Sequence, residues 1–357
     1  MTTKTARSLV LTGPRSVEIR EVSLPRIGPD DGLLEIESNG LCGSDVEFYD
    51  GSLPGYPNPM TLGHEPVGRI AEVGAAAAER WGLSVGDRVV VNSALRCGHC
   101  ASCTAGGYCR GRSYGTISPN VMPGLWGGMA SHLYLDPASD LLRLNPEVTA
   151  AAAAFHNPLA NGFEWAVRAA GATAGVDVVI LGAGPRGIGC AIAAASVGAR
   201  VTLVGLERDR NRLELVRKMG IDRGIAVSGG GYVHELRDHL GREVDTVVDT
   251  TPHSVQATAK GIAALRTDGR LVLAGIKGPG KSIPVDADTI SMRRLSIIGP
   301  IPKTRESLQR SVDLINSGYP ALDLLTTESF ALDQLAEAIA QVLSDDVERP
   351  IHVRIEP

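Results

Sequence analysis

Cysteine is scarce in this chain, six among 357 residues, and four of the six sit in one short stretch. Nowhere do about 18 apolar residues run together, the length a membrane-spanning helix needs, so no membrane partner is expected. The opening MTTKTARSLVLTGPRSVEIREV has no apolar run of signal-peptide length. The expected setting is therefore a reducing cytoplasm, where close-set cysteines serve as metal ligands more often than as disulfides. Long Lys/Arg runs are missing too, and 35 basic against 40 acidic residues give a formal net charge of −5. That balance opposes binding to a nucleic-acid backbone. Repeats and low-complexity linkers are also absent. With 43% apolar and 21% charged residues the chain reads as globular, and its length exceeds one ordinary core, so two domains are expected.

Up to about residue 150 the sequence reads as short strands broken by turns. SLVLTG, SVEIREV, DGLLEIES, GRIAEVG and VGDRVVV alternate or carry β-branched residues, separated by segments such as GSLPGYPNPMTLG. The texture then changes. TAAAAAFHNPLANGFEWAVRAAG is Ala-rich and helical, and strands are expected at 176–182, 200–205, 223–228, 244–250 and 270–276. Helical stretches such as GIGCAIAAASVG and RNRLELVRKMG lie between them. This alternation implies a parallel sheet covered by helices on both faces, an α/β fold. The last sixty-odd residues return to mixed texture and end in a strand, PIHVRIEP.

VVILGAGPRGIG places Gly182, Gly184 and Gly187 as G-x-G-x-x-G directly after a strand and at the start of a helix, with Pro185 and Arg186 inside the turn. Each glycine has a task there: a tight turn, room for a pyrophosphate, and close helix–strand contact. The helix N-terminus adds unpaired N–H groups for the phosphates. At the end of the second strand LVGLERDRNRL is divided evidence. Gly205 stands where an acidic residue would select NAD, Arg208 and Arg210 suit a 2′-phosphate, and Glu207 suits a free ribose. A solvated helix start accounts for the same charges, so the cofactor is read as NAD(P).

Two further segments carry chemistry. NGLCGSDVEFYDG contains Cys42, Ser44, Asp45 and Glu47, and TLGHEPVGRIAEVG contains His64 and Glu65. Thiolate, imidazole and carboxylate together suit Zn²⁺, which keeps one position open when catalytic.

GLCGSD, GHEPVGRIAEVG, GDRVVV, CGHCASC and LGAGPRGIG occur in an order and spacing that resemble the medium-chain zinc-dependent alcohol dehydrogenases, in particular the sorbitol/polyol dehydrogenase-like branch. The resemblance spans essentially the whole chain. It implies a GroES-like catalytic domain (1–155), a Rossmann NAD(P)-binding domain (156–295) and a C-terminal segment (296–357) returning to the catalytic domain. It makes Cys97, Cys100, Cys103 and Cys109 the ligands of a structural zinc in a lobe at about 93–115. Cys42 and His64 become catalytic zinc ligands, and Glu65 a ligand or an adjoining carboxylate. Ser44 would bond the substrate hydroxyl and pass its proton outward, and Asp45 would orient His64 or the relay. Gly275 and Ile276, in AGIKG, and IIGP (297–300) fall where the family brings backbone to the nicotinamide. A homodimer or homotetramer is implied as well.

Three features depart from the family pattern. Cys103 and Cys109 are separated by five residues where seven are usual, which still lets the lobe close. Asn157, in AFHNPLANG, stands where many polyol dehydrogenases carry Glu. It is a poorer ligand, suited to bonding water or substrate, with His156 a reserve ligand or a packed histidine. Glu47 stands where relatives carry a relay histidine, and a carboxylate can take the same proton. Trp126, in NVMPGLWGGMASHLYL, either lids the cleft or belongs to an ordinary turn and strand. Cys190 reads as a small buried hydrophobe.

The substrate expected is a secondary alcohol, sugar or polyol. Competing readings are a catalytically retired binding protein, favoured by Asn157, and a zinc-free quinone or enoyl reductase, opposed by the Cys42/His64 pair. A zinc module contacting nucleic acid or a protein partner is opposed by the acidic charge and the lack of a basic face around the cysteines.

Overall fold

A computed structural model describes residues 4–104, 112–221, 223–227 and 240–357. Cys109 and the end of its lobe lie outside the described residues. The expected parallel sheet is present and has six strands. In spatial order they are Arg223–Val227, Arg200–Leu206, Asp177–Leu181, Val244–Asp249, Leu265–Leu273 and Ser296–Ile298. Val178 to Leu181 are all buried, as a strand covered on both faces requires. Chain order reverses between Asp177–Leu181 and Val244–Asp249, and a crevice opens at the carboxyl ends of such strands.

The sixth strand begins at Ser296. Ser296–Ile298 pairs with Leu265–Leu273, so the parallel sheet continues past residue 295. A three-residue strand with two exposed side chains offers too little alternation to be recognised in the sequence. The next helix, Arg305–Asn316, is capped by the Thr304 hydroxyl and also packs in this half.

The remaining strands form antiparallel or mixed sheets. One sheet runs Glu328–Ala331, Val353–Glu356, Gly32–Gly40, Pro66–Val73, Arg88–Val91 and Leu141–Arg143, with His132–Leu135 also pairing Gly32–Gly40. Arg354 sits opposite Gly40, so the C-terminal strand returns to the N-terminal half and delivers residue 352 to its interior. A smaller sheet joins Ser16–Ser23, Thr5–Gly13 and Met60–Thr61. Trp126 belongs to the core of this half and is not a lid. It is buried with Leu95 and Leu133, stacks on Tyr114, and donates its indole N–H to Val121 O at 2.7 Å.

Candidate active site between the two halves

Cys42 lies two residues beyond the strand Gly32–Gly40 and caps the helix Gly43–Asp50, whose first turn carries Ser44 and Asp45. Asp45 is fully buried; its Oδ2 accepts the Cys42 N–H at 2.9 Å, and its Oδ1 lies 3.4 Å from His64 Nδ1. The opposite ring nitrogen, Nε2, faces Glu65 Oε1 at 3.9 Å. Ligand atoms of Cys42, His64 and Glu65 all lie within 4.8 Å of one another. Ser44 and Glu47 stand partly exposed on the same helix.

Glu65 is held from two distant segments. Asn157 Nδ2 donates to Oε1 at 2.5 Å, and His352 Nε2 lies 3.2 Å from Oε2. Gly40 makes this fit possible, because a Cβ there would stand 2.2 Å from Glu65 Oε2. Burial works to raise the Glu65 pKa, but the His352 hydrogen bond and the charges of His352, His64 and His156 bring it far below the ordinary range. Three buried polar atoms in and beside this cluster, Asp45 Oδ1, His156 Nε2 and Asn157 Oδ1, have no hydrogen-bond partner. His156 Nδ1 is 2.9 Å from Ala153 O, and burial lowers the ring pKa to about 4.

At the glycine turn, Gly182 has φ +104° and Gly187 packs so tightly that a Cβ would stand 1.8 Å from Gly182 O. A Cβ on Gly184, by contrast, would meet open space at the start of the helix Pro185–Ser196. Gly205 packs against Ala183 and Asp209, while Glu207 pairs with Arg210 and Arg208 with Asp345. Gly275 lies against Thr251 and Ile276 is exposed. Arg186, one of the expected cofactor residues, donates from Nη2 to Cys42 Sγ at 3.4 Å.

In the cysteine lobe, the thiol sulfurs of Cys97, Cys100 and Cys103 gather within 4.8 Å. The backbone N–H of Cys100 points to Cys97 Sγ at 3.3 Å. Cys190 is wholly buried, as expected, and burial pushes its thiol pKa upward.

His352, Lys303, Ser93 and Trp165 escaped the sequence reading. Lys303 Nζ donates to Ser93 Oγ at 3.2 Å, and Trp165 underlies Arg186 at 5.8 Å. No local pattern marks these residues, since each reaches the site from a separate segment.

Comparison with known proteins agrees with this architecture. Residues 28–146 match the alcohol dehydrogenase GroES-like domain, and residues 185–317 match the zinc-binding dehydrogenase domain. The chain is 37% identical to the Mycobacterium tuberculosis protein named "Probable alcohol dehydrogenase adh", over 98% of both chains. It is 29% identical to an erythritol/L-threitol dehydrogenase of Mycolicibacterium smegmatis, covering 95% of this chain and 94% of that one. The crystal structure of an alcohol dehydrogenase from Thermotoga maritima superposes with a TM-score of 0.87 at 26% identity, covering 99% of this chain and all of the other. With both domains matched and near full-length relatives on either side, this chain belongs to the medium-chain zinc-dependent alcohol dehydrogenase family and is an NAD(P)-dependent oxidoreductase.

Proposed function

We propose that this enzyme oxidises a secondary alcohol, sugar or polyol, or reduces the matching ketone, with Cys42, His64 and Glu65 holding a catalytic zinc. The observation that carries the reading is the thiolate, imidazole and carboxylate set gathered within 4.8 Å, facing a glycine turn shaped for a dinucleotide. Three protein donors leave a tetrahedral metal one open position, the arrangement of a catalytic zinc. The unpartnered His156 Nε2 and Asn157 Oδ1 nearby also suit a site that takes a polar guest.

When bound, zinc supplies a Lewis acid that makes an alcohol hydroxyl acidic near neutral pH, and NAD(P) supplies the hydride acceptor. The alcohol gives up one hydride and one proton and leaves as a ketone. Asp45, 3.4 Å from His64 Nδ1, would favour the proton on that nitrogen and leave the Nε2 lone pair for the metal. Ser44 takes the substrate proton outward, and Glu47, three residues further along the same helix, receives it. Asn157 pins Glu65 through Nδ2 and turns Oδ1 toward the bound hydroxyl or water. Gly182, Gly184, Pro185 and Gly187 seat the pyrophosphate, with Gly275 and Ile276 beside the nicotinamide. Glu207 and Arg208 flank the ribose, and both NAD and NADP remain within the proposal.

Cys97, Cys100, Cys103 and Cys109 hold a second, structural zinc. A dimer or tetramer is part of the reading, supported by the outer edge strand Ser296–Ile298, where Ile297 is exposed. A cytoplasmic home is the matching expectation. No helix among the described residues is long and apolar enough to cross a membrane. The test is initial-rate assay of secondary alcohols and polyols with each cofactor. Turnover that falls to background in Cys42→Ala supports the reading, and no turnover with any alcohol by zinc-loaded protein refutes it.

A further inference from the structure

Two cations rooted in the dinucleotide-binding half reach across to the metal-binding half. Arg186 is the second residue of the helix Pro185–Ser196 and places Nη2 3.4 Å from Cys42 Sγ, with the Trp165 ring 5.8 Å from its guanidinium carbon. Lys303 follows the strand Ser296–Ile298, is buried, and places Nζ 3.2 Å from Ser93 Oγ, just beyond the strand Arg88–Val91. The same tryptophan ties the two together: Trp165 Nε1 donates to Ile301 O at 3.0 Å and so holds the loop that carries Lys303. Both cations start at the carboxyl ends of parallel strands, where open α/β sheets bind their ligands.

Their charged surroundings are shared. Arg186 feels Cys42 first, then Glu65 and Glu47. Lys303 feels Glu65 and Cys42 and is opposed by Arg186. Burial is the main cause that brings the Lys303 pKa down to about 8, a sign that a cation at this place is costly to keep. A divalent metal in the triad would take up the charges of Cys42 and Glu65 that both cations now face. The field of Arg186 and Lys303 would then fall on a ligand bound beside Cys42. Among the described residues one hydrogen bond, to Cys42, engages the five N–H donors of Arg186. A planar guanidinium matches a carboxylate or phosphate in two-point fashion, and a neutral hydroxyl gains far less from it.

We propose that Arg186 and Lys303 form an anion-recognising wall of the substrate site, so that the preferred substrate is an alcohol carrying an oxyanion group close to the carbon that is oxidised. This rests on the alcohol-oxidising function proposed above and narrows it to hydroxy acids or phosphorylated polyols. The reaction itself is unchanged: one hydride passes to NAD(P), one proton is released, and the oxyanion takes no part in bond making.

The test uses the zinc-loaded holoenzyme and matched substrates: threonate against threitol, 3-hydroxybutyrate against 2-butanol, and erythritol 4-phosphate against erythritol. The anionic member of at least one pair is expected to have a kcat/KM higher by about tenfold or more, the size of one charge-assisted hydrogen bond, with the gain mainly in KM. Which pair shows it separates carboxylate from phosphate recognition. Arg186→Met and, separately, Lys303→Gln are expected to shrink that ratio toward one, and Arg186→Lys to restore part of it. Because the wild-type ratio is itself decisive, a variant that fails to fold does not block the test. Neutral partners turned over as well as or better than the anions overturn the inference and leave the alcohol-dehydrogenase reading standing. A rise in KM for NAD(P) in Arg186→Met, with the anion-over-neutral ratio unmoved, overturns it too and assigns Arg186 to the cofactor. Failure to oxidise any alcohol, neutral or anionic, refutes the underlying function instead.

Discussion

Asn157 Nδ2 stands 2.5 Å from Glu65 Oε1, and this contact joins the helix His156–Gly162 to the segment that leads into the strand Pro66–Val73. The amide donates here, so its exchange for a carboxylate is the informative change. In Asn157→Asp two carboxylates share a buried contact, and one must be protonated or move away. The expected result is a fall in kcat/KM of about 10- to 100-fold, the usual cost of losing a partner of a metal ligand, with weaker zinc retention on dialysis. Wild-type kcat/KM and zinc retention in this variant would show that the contact does not support the site.

Metal-free protein should expose an unusually reactive thiol. Burial acts to raise the Cys42 pKa, but Arg186 and His64 outweigh it and bring the value to about 7. Alkylation of Cys42 by iodoacetamide is therefore expected to reach half its maximal rate near pH 7, and added zinc should protect it. In Arg186→Met the midpoint should move upward, because a cation favouring the thiolate is gone. An unchanged midpoint would remove Arg186 as its cause.

Stability should also report the neutral, buried state of His156. Its pKa falls from 6.5 to about 4 in the folded protein, with burial the main cause. Between those values the unfolded chain holds a proton that the folded one does not, so stability rises with pH across that window. The contribution is complete above pH 6.5 and is lost as the pH drops toward 4. Urea unfolding of His156→Gln should show a slope against pH flatter by up to about 1.4 kcal/mol per unit. Equal slopes would mean that His156 titrates normally.

Much of this architecture is legible in the sequence because it rests on local signals. The glycine turn, the five strands of 176–276 and the clustered Cys97, Cys100 and Cys103 each fit inside a window of a dozen residues or so. Cys42, His64 and Glu65 are visible as residue types suited to zinc, but their approach depends on the pairing of Gly32–Gly40 with Pro66–Val73. What surrounds them is not local. His352 arrives on the returning C-terminal strand, and Lys303 follows a three-residue strand that carries almost no periodic signal. Arg186 shows the other limit: its motif position is plain, but the direction of its side chain depends on tertiary packing.

Trp126 illustrates the same point in the core. A tryptophan between glycines suits a lid as well as an interior, and only packing on Tyr114 and Tyr134 decides for the interior. Trp126→Ala is expected to cost about 3–5 kcal/mol in unfolding free energy, the range for losing a large buried aromatic. Substrate KM of the folded fraction should stay within about twofold, because no ligand contact is removed. A large KM change with little loss of stability would return Trp126 to the cleft.

Zinc content decides whether a catalytic metal sits at Cys42, His64 and Glu65 separately from the cysteine lobe. Metal is measured per chain in protein purified without added zinc, in wild type and in Cys42→Ala. About two zinc ions per chain are expected to fall to about one, with the lobe still filled. One zinc per chain, unchanged by the substitution, would contradict it.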